Sequence, residues 1–427
     1  WYERPIPLRN PIVFYEGHLP VFAVNTLLKA ALGEKGIDEH FERLFARGID
    51  PEDENKVDKS AQWPTRDEVK AYAAEAEARL RNAILHAELE IAGHPFLDGA
   101  AALHTIVEHE LMHQETLMYI FHRLPFELKS RPRYIDQDGW SVGSGESGWG
   151  DASRSTKQQS LLPEGAVPDT PLQRVEIDIP AGDVTLGQSP ELFGWDNEFP
   201  RSRVRVPSFR LDAHSVTNGD FLEFVVAGGY SDPRWWPPGQ VPGKNHHPFF
   251  WERQDGSWFW RGMFEHLPLP ESWPVYATWQ EANAFAHWKG GRLMTEPEYH
   301  RAAFGGISDV ERMHPWGEAV PAAAHGNFDL RRLDPLPVGT HPHGASAWGI
   351  HDLVGNGWEW TSSLFAPFDG FTPMPSYPQY SADFFDGAHF VMKGASPATP
   401  AGLVRRSFRN WFRPNYPYVY AKFRVAY

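Results

Sequence analysis

The chain has 427 residues, of which 41% are hydrophobic and 22% are charged, a length and composition typical of a soluble globular protein with two domains. Because it contains no cysteine, it can form neither disulfides nor cysteine-ligated zinc or iron–sulfur sites, so any metal must bind histidine, carboxylate or tyrosine side chains. Its net charge of −15 disfavours binding to nucleic-acid phosphates and to anionic membrane surfaces.

Residues 1–140 have helical patterns in four segments that flank one long polar loop. The segments are Pro11–Leu28, Glu34–Arg47, Asp67–Ala92 and Ala100–Leu124, and the loop is Ile49–Trp63. Four helices joined in this way predict an up-down bundle, whose interior commonly holds metal sites built from facing helices.

The last of these segments contains the sequence HELMH, which places His109 and His113 four residues apart. On a helix these positions lie one turn apart on one face, so both imidazoles can reach one metal ion. The same five residues satisfy the H-E-x-x-H pattern of zinc hydrolases, in which Glu110 would be the general base. From the residues alone three interpretations remain open: two ordinary helix histidines, half of a metal site that lacks its third ligand, and a zinc hydrolase.

Residues 141–170 are rich in glycine and serine and contain few apolar anchors, a composition that predicts a linker. From residue 171 to the end, short runs punctuated by glycine, proline and aromatic residues predict an irregular α+β domain of short strands and long loops. Brief helical patterns in this part cover Thr217–Ala227 and Thr278–Lys289. We therefore predict a helical domain over 1–140, a linker over 141–170 and a second domain over 171–427.

Five segments of the second domain resemble a known family when they are taken together. They are IPAGDVTLG (179–187), FRLDAHSVTNGDFLEFV (209–225), PVYATWQEANAFAHWKGGRLMTEPEYHRAA (274–303), HDLVGNGWEWTSS (351–363) and RSFRNWFRP (406–414). They resemble the formylglycine-generating-enzyme/sulfatase-modifying domain, which has a C-type-lectin-like fold. Preceded by a DinB-like four-helix bundle that carries H-x-x-x-H-x-E, this domain is similar to the ergothioneine-type sulfoxide synthase superfamily. The resemblance implies an α+β protein of two domains, one helical and one lectin-like.

The resemblance also implies a metal centre. In that superfamily three histidines hold a mononuclear iron(II), and here they correspond to His18, His109 and His113, with Glu115 as the acid that follows the motif. Three neutral imidazoles leave coordination positions open, close to the arrangement of oxygen-activating non-heme iron. The implied reaction is an O2-dependent oxidation that joins sulfur or selenium to the imidazole carbon between the two ring nitrogens of hercynine, the trimethylated betaine of histidine.

Two further segments match parts of the family's active site. Asn410 and Trp411 correspond to residues that line the betaine pocket, where an aromatic face suits a quaternary ammonium group, although FRNWF can also be a turn that the fold requires. Tyr377 and Tyr380 lie in a segment that matches a loop whose first tyrosine acts as a proton donor. A phenol with a pKa near 10 is protonated at neutral pH and suits this role.

The chain also departs from the family pattern. Sulfoxide synthases that use gamma-glutamylcysteine carry two arginines in the loop after the second helix and an aspartate after the Asn-Trp pair. Here the loop has the sequence NKVDKSAQW, whose Lys56 and Lys59 do not replace a bidentate arginine, and Phe412 follows Trp411. These departures resemble the selenoneine synthase branch, which couples hercynine to a selenosugar. Formation of a carbon–sulfur bond from a thiol, such as gamma-glutamylcysteine or cysteine, is the alternative.

Two remoter alternatives are the zinc hydrolase and a glycan-binding module. The tryptophans at 235, 236, 251, 258 and 260 permit glycan binding, although such clusters more often belong to a hydrophobic core. Formylglycine generation is disfavoured, because that reaction relies on active-site cysteines. No stretch approaches 18 consecutive apolar residues, and the first 25 residues do not have the pattern of a signal peptide. We therefore expect a cytoplasmic enzyme whose partners are small molecules, namely hercynine, O2 and a selenosugar or thiol.

Overall fold

The computed structural model of the chain describes residues 1–46, 62–131, 174–237, 246–306 and 310–427. The predicted linker, 141–170, lies outside the described residues, and so does the predicted polar loop except for its last two residues. The two predicted boundaries, at 140/141 and 170/171, therefore stay predictions. Below, the helical region means the described residues up to 131, and the strand-rich domain means those from 174 onward.

The helical region contains the four predicted helices. They are α1 (Ile12–Ala23), α2 (Glu39–Leu44), α3 (Arg66–His86) and α4 (Ala101–Arg123), and α1 continues directly into a π-helical segment, Val24–Ala31. Helix α1 packs against both α3 and α4. Pro20 lies inside α1 and lacks the backbone N–H that an α-helix requires, and the wider turns of the π-helix follow it.

Two of these helices are shorter than the sequence predicts. Helix α2 begins after Asp38 rather than at Glu34, because the backbone N–H groups of Ile37 and Asp38 donate to the carboxylate of Glu42 instead of continuing a helix. Helix α3 ends at His86 rather than at residue 92, since Ala87 is extended. The chain after it instead packs Leu89 and Ile91 around the buried side chain of Leu97.

The strand-rich domain contains three helices and eleven short strands in four small sheets, which agrees with the predicted α+β domain. The helices are α5 (Asn218–Val226), α6 (Trp279–Trp288) and α7 (Glu296–Phe304). The strands are β1 (Glu176–Ile179), β2 (Gly182–Leu186), β3 (Ser202–Val206), β4 (Phe209–Asp212), β5 (Trp251–Gln254), β6 (Ser257–Arg261), β7 (His266–Pro268), β8 (Gly357–Leu364), β9 (Phe390–Ala395), β10 (Asn410–Phe412) and β11 (Ala421–Lys422). The largest sheet has the order β10-β9-β8-β11, and the others are β1-β4, β2-β3 and β5-β6-β7.

Helix capping explains the start of all three helices in this domain. Thr217 and Thr278 cap α5 and α6, which confirms both predicted helices to within a residue. Helix α7 was not predicted, although Thr295 and Glu298 form the same reciprocal capping box at its start. Eight of its nine residues are buried, so it lacks the one-sided apolar pattern by which a surface helix is recognised.

A buried ionic group joins the largest sheet to the C-terminal segment. Glu359 on β8 accepts hydrogen bonds from Lys422 Nζ at 2.5 Å and from Arg424 Nε at 2.9 Å, and all three side chains are fully buried. The two cations hold the pKa of Glu359 below its usual value although burial alone would raise it. The same sheet carries the predicted Asn-Trp-Phe segment on its edge strand β10.

Among the described residues, none of the helices combines the length and the apolar character needed to cross a membrane.

Candidate metal centre

Three histidines converge between α1 and α4. His18 lies on α1, and His109 and His113 lie on α4, with one nitrogen from each ring within 4.8 Å of the others. The Nε2 atoms of His18 and His109 are 3.1 Å apart. Within the described part of the chain this is the one group of three or more histidine or carboxylate side chains close enough to hold a metal ion. The structure thus brings together the three residues that the sequence analysis proposes as ligands.

The surroundings of His18 fix the orientation of its ring. Its Nδ1 lies 2.7 Å from the carbonyl oxygen of Phe45, and because a carbonyl only accepts, Nδ1 donates and Nε2 keeps its lone pair toward the other histidines. Gly17 permits this approach, since a Cβ there would lie 2.6 Å from the ring of Phe45. Phe14 stacks on the His18 ring, with centroids 4.9 Å apart. A hydrogen bond to the second ring nitrogen is the usual support of a histidine ligand.

Burial keeps the other two imidazoles neutral. It lowers the pKa of His109 and of His113 well below the usual value, and the neighbouring histidines add to the effect. Phe22 stacks on His109 with centroids 3.5 Å apart, which excludes water from that side. Neutral imidazole is the form that binds metals.

The three residues fit a transition-metal cation. Nitrogens that bind one ion at about 2.1 Å and at right angles stand about 3 Å apart, close to the observed spacing of the His18 and His109 nitrogens. Nδ1 of His113 is buried and has no hydrogen-bond partner among the described residues, so no hydrogen bond at that nitrogen holds the ring away from a metal ion. The three side chains can therefore hold a metal, and imidazole ligands alone suit iron, zinc, copper or nickel.

The face of α4 next to the histidines docks on the strand-rich domain through side chains at alternating spacings of three and four residues. The contacting pairs are Thr105 with Ser376, Glu108 with Arg405, Met112 with Tyr380, Glu115 with Trp358, Ser396 and Thr399, Tyr119 with Tyr420, and His122 with Tyr420. We call this row the docking stripe. Its spacing keeps one helix face turned to the partner over five turns. The stripe places the helix that carries His109 and His113 against the domain that carries the predicted substrate residues.

Glu115 is the central polar contact of the docking stripe. Its carboxylate is buried and accepts hydrogen bonds from Trp358 Nε1 at 2.7 Å, Ser396 Oγ at 2.6 Å, Thr399 Oγ1 at 2.8 Å and Tyr119 Oη. Burial raises the pKa of Glu115, and the hydrogen bonds from these four donors partly offset that rise. The acid that follows the histidine motif therefore joins the two regions and does not point at the metal centre.

The structure distinguishes the two predicted catalytic tyrosines. The ring of Tyr377 lies 5.4 Å from Phe22 and 6.4 Å from His109, measured between centroids, so it borders the metal centre. Tyr380 stacks on Trp195 with centroids 4.0 Å apart, and its hydroxyl donates to the sulfur of Met112. Burial raises the pKa of Tyr380 well above its usual value. Of the two predicted tyrosines, Tyr380 thus belongs to the docking stripe, and Tyr377 is the one whose ring lies next to a histidine of the site.

The three predicted substrate residues lie on β10 but not on one face of it. Because side chains alternate along a strand, Asn410 and Phe412 point to one side and Trp411 to the other. Trp411 stacks on Phe365 at 4.1 Å and meets the edge of Tyr380 at 5.3 Å. Trp411 is therefore next to the tyrosine loop, whereas the ring of Phe412 lies on the other side of the strand.

Sequence reasoning missed a cation near the histidines. Arg9 precedes α1, and its guanidinium carbon lies 5.9 Å from the centroid of Phe412 and 5.5 Å from that of Tyr416. Its charge is one of the causes that lower the pKa of His113, after burial and His18. No motif in the sequence marks this arginine. Lys56 and Lys59, which the sequence analysis weighed, lie outside the described residues.

The geometry disfavours the two remote alternatives. Glu110, the general base of a zinc hydrolase, is exposed and borders an outer groove of the helical region together with Leu19 and Pro20. The five tryptophans considered for glycan binding lie in the main hydrophobic core or pack against it, and Trp236, Trp251 and Trp260 are buried. A catalytic Glu110 and an exposed tryptophan platform are therefore both missing from the described residues.

Comparison with known proteins gives a consistent result. The family of the Sulfatase-modifying factor enzyme 1-like domain matches residues 164–427. A protein named hercynine oxygenase from Mycolicibacterium smegmatis is 41% identical over 263 residues, which cover 58% of this chain and 60% of that protein. Ergothioneine biosynthesis protein 1 from Neurospora crassa is 29% identical over 497 residues, covering 99% of this chain and 54% of that protein. The formylglycine-generating enzyme of Bos taurus is 29% identical over 253 residues, covering 49% and 62%.

The fold and the site together define a protein in which a helical region with three converging histidines, a candidate metal site, is docked on a strand-rich domain. The chain spans between half and two thirds of the length of these curated relatives. It belongs to the family of the Sulfatase-modifying factor enzyme 1-like domain. Its similarity to hercynine oxygenase and to ergothioneine biosynthesis protein 1 supports the resemblance to the ergothioneine-type sulfoxide synthase superfamily.

Proposed function

We propose that this chain is an O2-dependent, iron(II)-containing enzyme that modifies the imidazole ring of hercynine. The observation that carries the proposal is the convergence of His18 on α1 with His109 and His113 on α4, the helix that docks onto the strand-rich domain. His18 and His109 are buried, and His113 is half-buried. The names of the relatives, hercynine oxygenase and ergothioneine biosynthesis protein 1, support the same substrate.

In this proposal the three histidines hold the iron, which supplies redox chemistry and lowers the pKa of a bound thiol or selenol. The rings of Phe14 and Phe22, stacked on His18 and His109, exclude water from the ligands. Tyr377, whose ring borders His109, donates the proton that the reaction with O2 requires. Tyr380 positions the loop through Trp195 and Met112 and transfers no proton.

We propose a selenosugar as the second substrate, so that the bond formed is carbon–selenium. Two features of the chain support this choice: the arginine-free loop 55–63 and the aromatic side chain of Phe412 where gamma-glutamylcysteine-dependent enzymes have an acid. A sugar presents no carboxylate for arginine and packs well on an aromatic face. The second candidate is carbon–sulfur bond formation from a thiol, and the names of the ergothioneine biosynthesis relatives favour it.

The test is anaerobic reconstitution with iron(II), followed by addition of O2 and mass spectrometry of the products. Hercynine is offered with the selenosugar, with gamma-glutamylcysteine or with cysteine in separate reactions. We expect a hercynine–selenium conjugate from the first pair, one bound iron per chain, and loss of both in His109→Ala.

Glu110→Gln is the matched control, because it lies next to His109 but is exposed. We expect it to keep its iron and its activity. A conjugate formed only with a thiol would refute the selenium assignment and keep the hercynine assignment. Absence of any O2-dependent hercynine product from iron-loaded protein would refute the proposed function.

A further inference from the structure

The loop that carries Tyr377 lies beside the histidines, and we call its residues 374–384 the tyrosine loop. The Tyr380 N–H donates to the Tyr377 carbonyl at 3.0 Å, and the Phe384 N–H donates to the Ser381 carbonyl at 2.9 Å, so one turn follows another along this loop. These turns determine the shape of the loop itself. Its placement relative to the histidines depends on contacts with other segments.

One buried hydroxyl ties the tyrosine loop to the segment between β2 and β3. Ser381 is fully buried, and its Oγ donates to Oδ1 of Asp196 and accepts from Nδ2 of Asn197 at 2.9 Å. Burial raises the pKa of Asp196, and hydrogen bonding to Ser381 and to the backbone of Met374 acts against that rise. Met374 and Ser381 lie on either side of Tyr377, so Asp196 acts on the loop both before and after the phenol.

The segment that contains Asp196 is itself anchored to the metal-centre helix. Arg405 joins the two, since its Nε donates to Glu198 at 2.8 Å and its Nη1 donates to Glu108 at 2.7 Å. Glu108 directly precedes His109 on α4. The carboxylate of Asp196 thus lies two residues from an ion network that ends beside a histidine of the candidate metal centre.

The electrostatic environment of Asp196 differs from that of its neighbour Glu198. Glu198 pairs with Arg405, whereas none of the described residues forms an ion pair with Asp196, although it is only 3% exposed. A buried carboxylate without a cation costs free energy that a neutral side chain would avoid, and natural proteins retain such costs mainly where function requires them. In return, Ser381 gains a hydrogen bond to a charged acceptor, which is roughly twice as strong as one to a neutral acceptor.

We infer that Asp196 is a positioning residue, which through Ser381 sets the distance of the Tyr377 phenol from the histidines. This inference rests on the proposed function, in which Tyr377 donates a proton. Stacking of Tyr380 on Trp195 restrains the loop as well, but stacked rings can slide, whereas a hydrogen bond weakens steeply when its geometry changes. Proton transfer requires heavy atoms about 2.6–3.2 Å apart, so a small displacement of the phenol slows it.

The test is a double-mutant cycle that measures the single-turnover rate of hercynine conjugate formation by the iron(II)-loaded protein with O2. The second substrate is whichever of the selenosugar, gamma-glutamylcysteine or cysteine the unaltered protein uses. The cycle comprises Asp196→Ala, Tyr377→Phe and the two changes together. Asp196→Asn and Ser381→Ala alter the same hydrogen bond, and Asp183→Ala, a partly exposed acid on β2, is the matched control. Iron content and hercynine affinity are measured for every variant.

We expect Asp196→Ala and Ser381→Ala to lower the rate by about 10-fold to 100-fold, as for a displaced catalytic group, with unchanged iron content and hercynine affinity. Asp196→Asn, which keeps an acceptor for the Ser381 hydroxyl, should lose less. In the Tyr377→Phe background, Asp196→Ala should change the remaining rate by less than about twofold, because the hydroxyl that it positions is already absent. Asp183→Ala should react as the original protein does.

Equal losses from Asp196→Ala with and without the Tyr377 hydroxyl would overturn the inference, because Asp196 would then act on the fold and not through the phenol. Unchanged rates in Asp196→Ala and Ser381→Ala would overturn it too, as would a parallel loss of iron and rate in Ser381→Ala. If Asp196→Ala does not fold, the same cycle with Ser381→Ala decides.

The assay also separates this inference from the proposed function. If the unaltered, iron-loaded protein forms no O2-dependent hercynine product, the proposed function is refuted and the inference with it. If the unaltered protein is active but Tyr377→Phe is equally fast, the roles of Tyr377 and Asp196 are refuted while the proposed function stands.

Discussion

Replacement of Glu115 by alanine should strongly destabilise the protein, although Glu115 lies away from the metal. The change removes the carboxylate that accepts hydrogen bonds from four buried donors. Ser396 and Thr399 can hydrogen-bond each other, since their hydroxyl oxygens are already 3.3 Å apart. Trp358 Nε1 and Tyr119 Oη have no such replacement at hand. At about 1–3 kcal/mol for each stranded buried donor, we expect a loss of about 2–6 kcal/mol in the free energy of unfolding.

Urea unfolding followed by tryptophan fluorescence measures this loss, with the variant and the original protein both loaded with metal. Glu115→Gln keeps one acceptor oxygen, so it should lose less than the alanine variant. Glu110→Gln, on the exposed side of the same helix, should stay within about 0.5 kcal/mol of the original protein. A loss below about 1 kcal/mol in Glu115→Ala would refute the view that this carboxylate organises the contact between the two regions.

Three further changes test other parts of the structure. Gly17→Ala should displace the ring of Phe45 and weaken metal binding, which would lower the metal content of the protein after dialysis. An unchanged metal content would contradict the view that the Phe45 carbonyl orients His18. Burial lowers the pKa of His122 to about 3, so the folded state keeps it neutral while the unfolded state binds a proton below pH 6.5. Stability should fall by about 2 kcal/mol more between pH 7 and pH 5 in the original protein than in His122→Gln, as measured by urea unfolding at the two pH values. Tyr377→Phe should slow product formation at least tenfold, whereas Tyr380→Phe should keep most of it; equal rates in single-turnover assays would contradict the different roles assigned to the two phenols.

Local features were predictable from the sequence. The spacing of His109 and His113 needs only the helix that contains them, and the capping threonines of α5 and α6 act within one turn. The third histidine is different, because His18 lies 91 residues from His109 and no spacing rule joins them. It was found through family resemblance, and the structure places all three together.

The docking stripe and Arg9 were missed for a physical reason. Glu108, Glu115 and His122 recur on one face of α4, and polar residues in such a row normally indicate a face turned to water. Their partners follow hundreds of residues later in the chain, so the pattern of the helix alone cannot reveal that the face is buried. For Arg9, the aromatic neighbours Phe412 and Tyr416 are equally remote in sequence.

The polar character of the docking stripe also determines how accurately the two regions are aligned. Apolar surfaces tolerate sliding, because one methyl group replaces another at little cost. Along the docking stripe, by contrast, Glu108, Glu115 and His122 each have their own donor or acceptor, and a shift by one helical turn, about 5.4 Å, would break these pairs together. The contact therefore permits only one register of α4 on the strand-rich domain. That register sets the position of Tyr377 relative to the histidines.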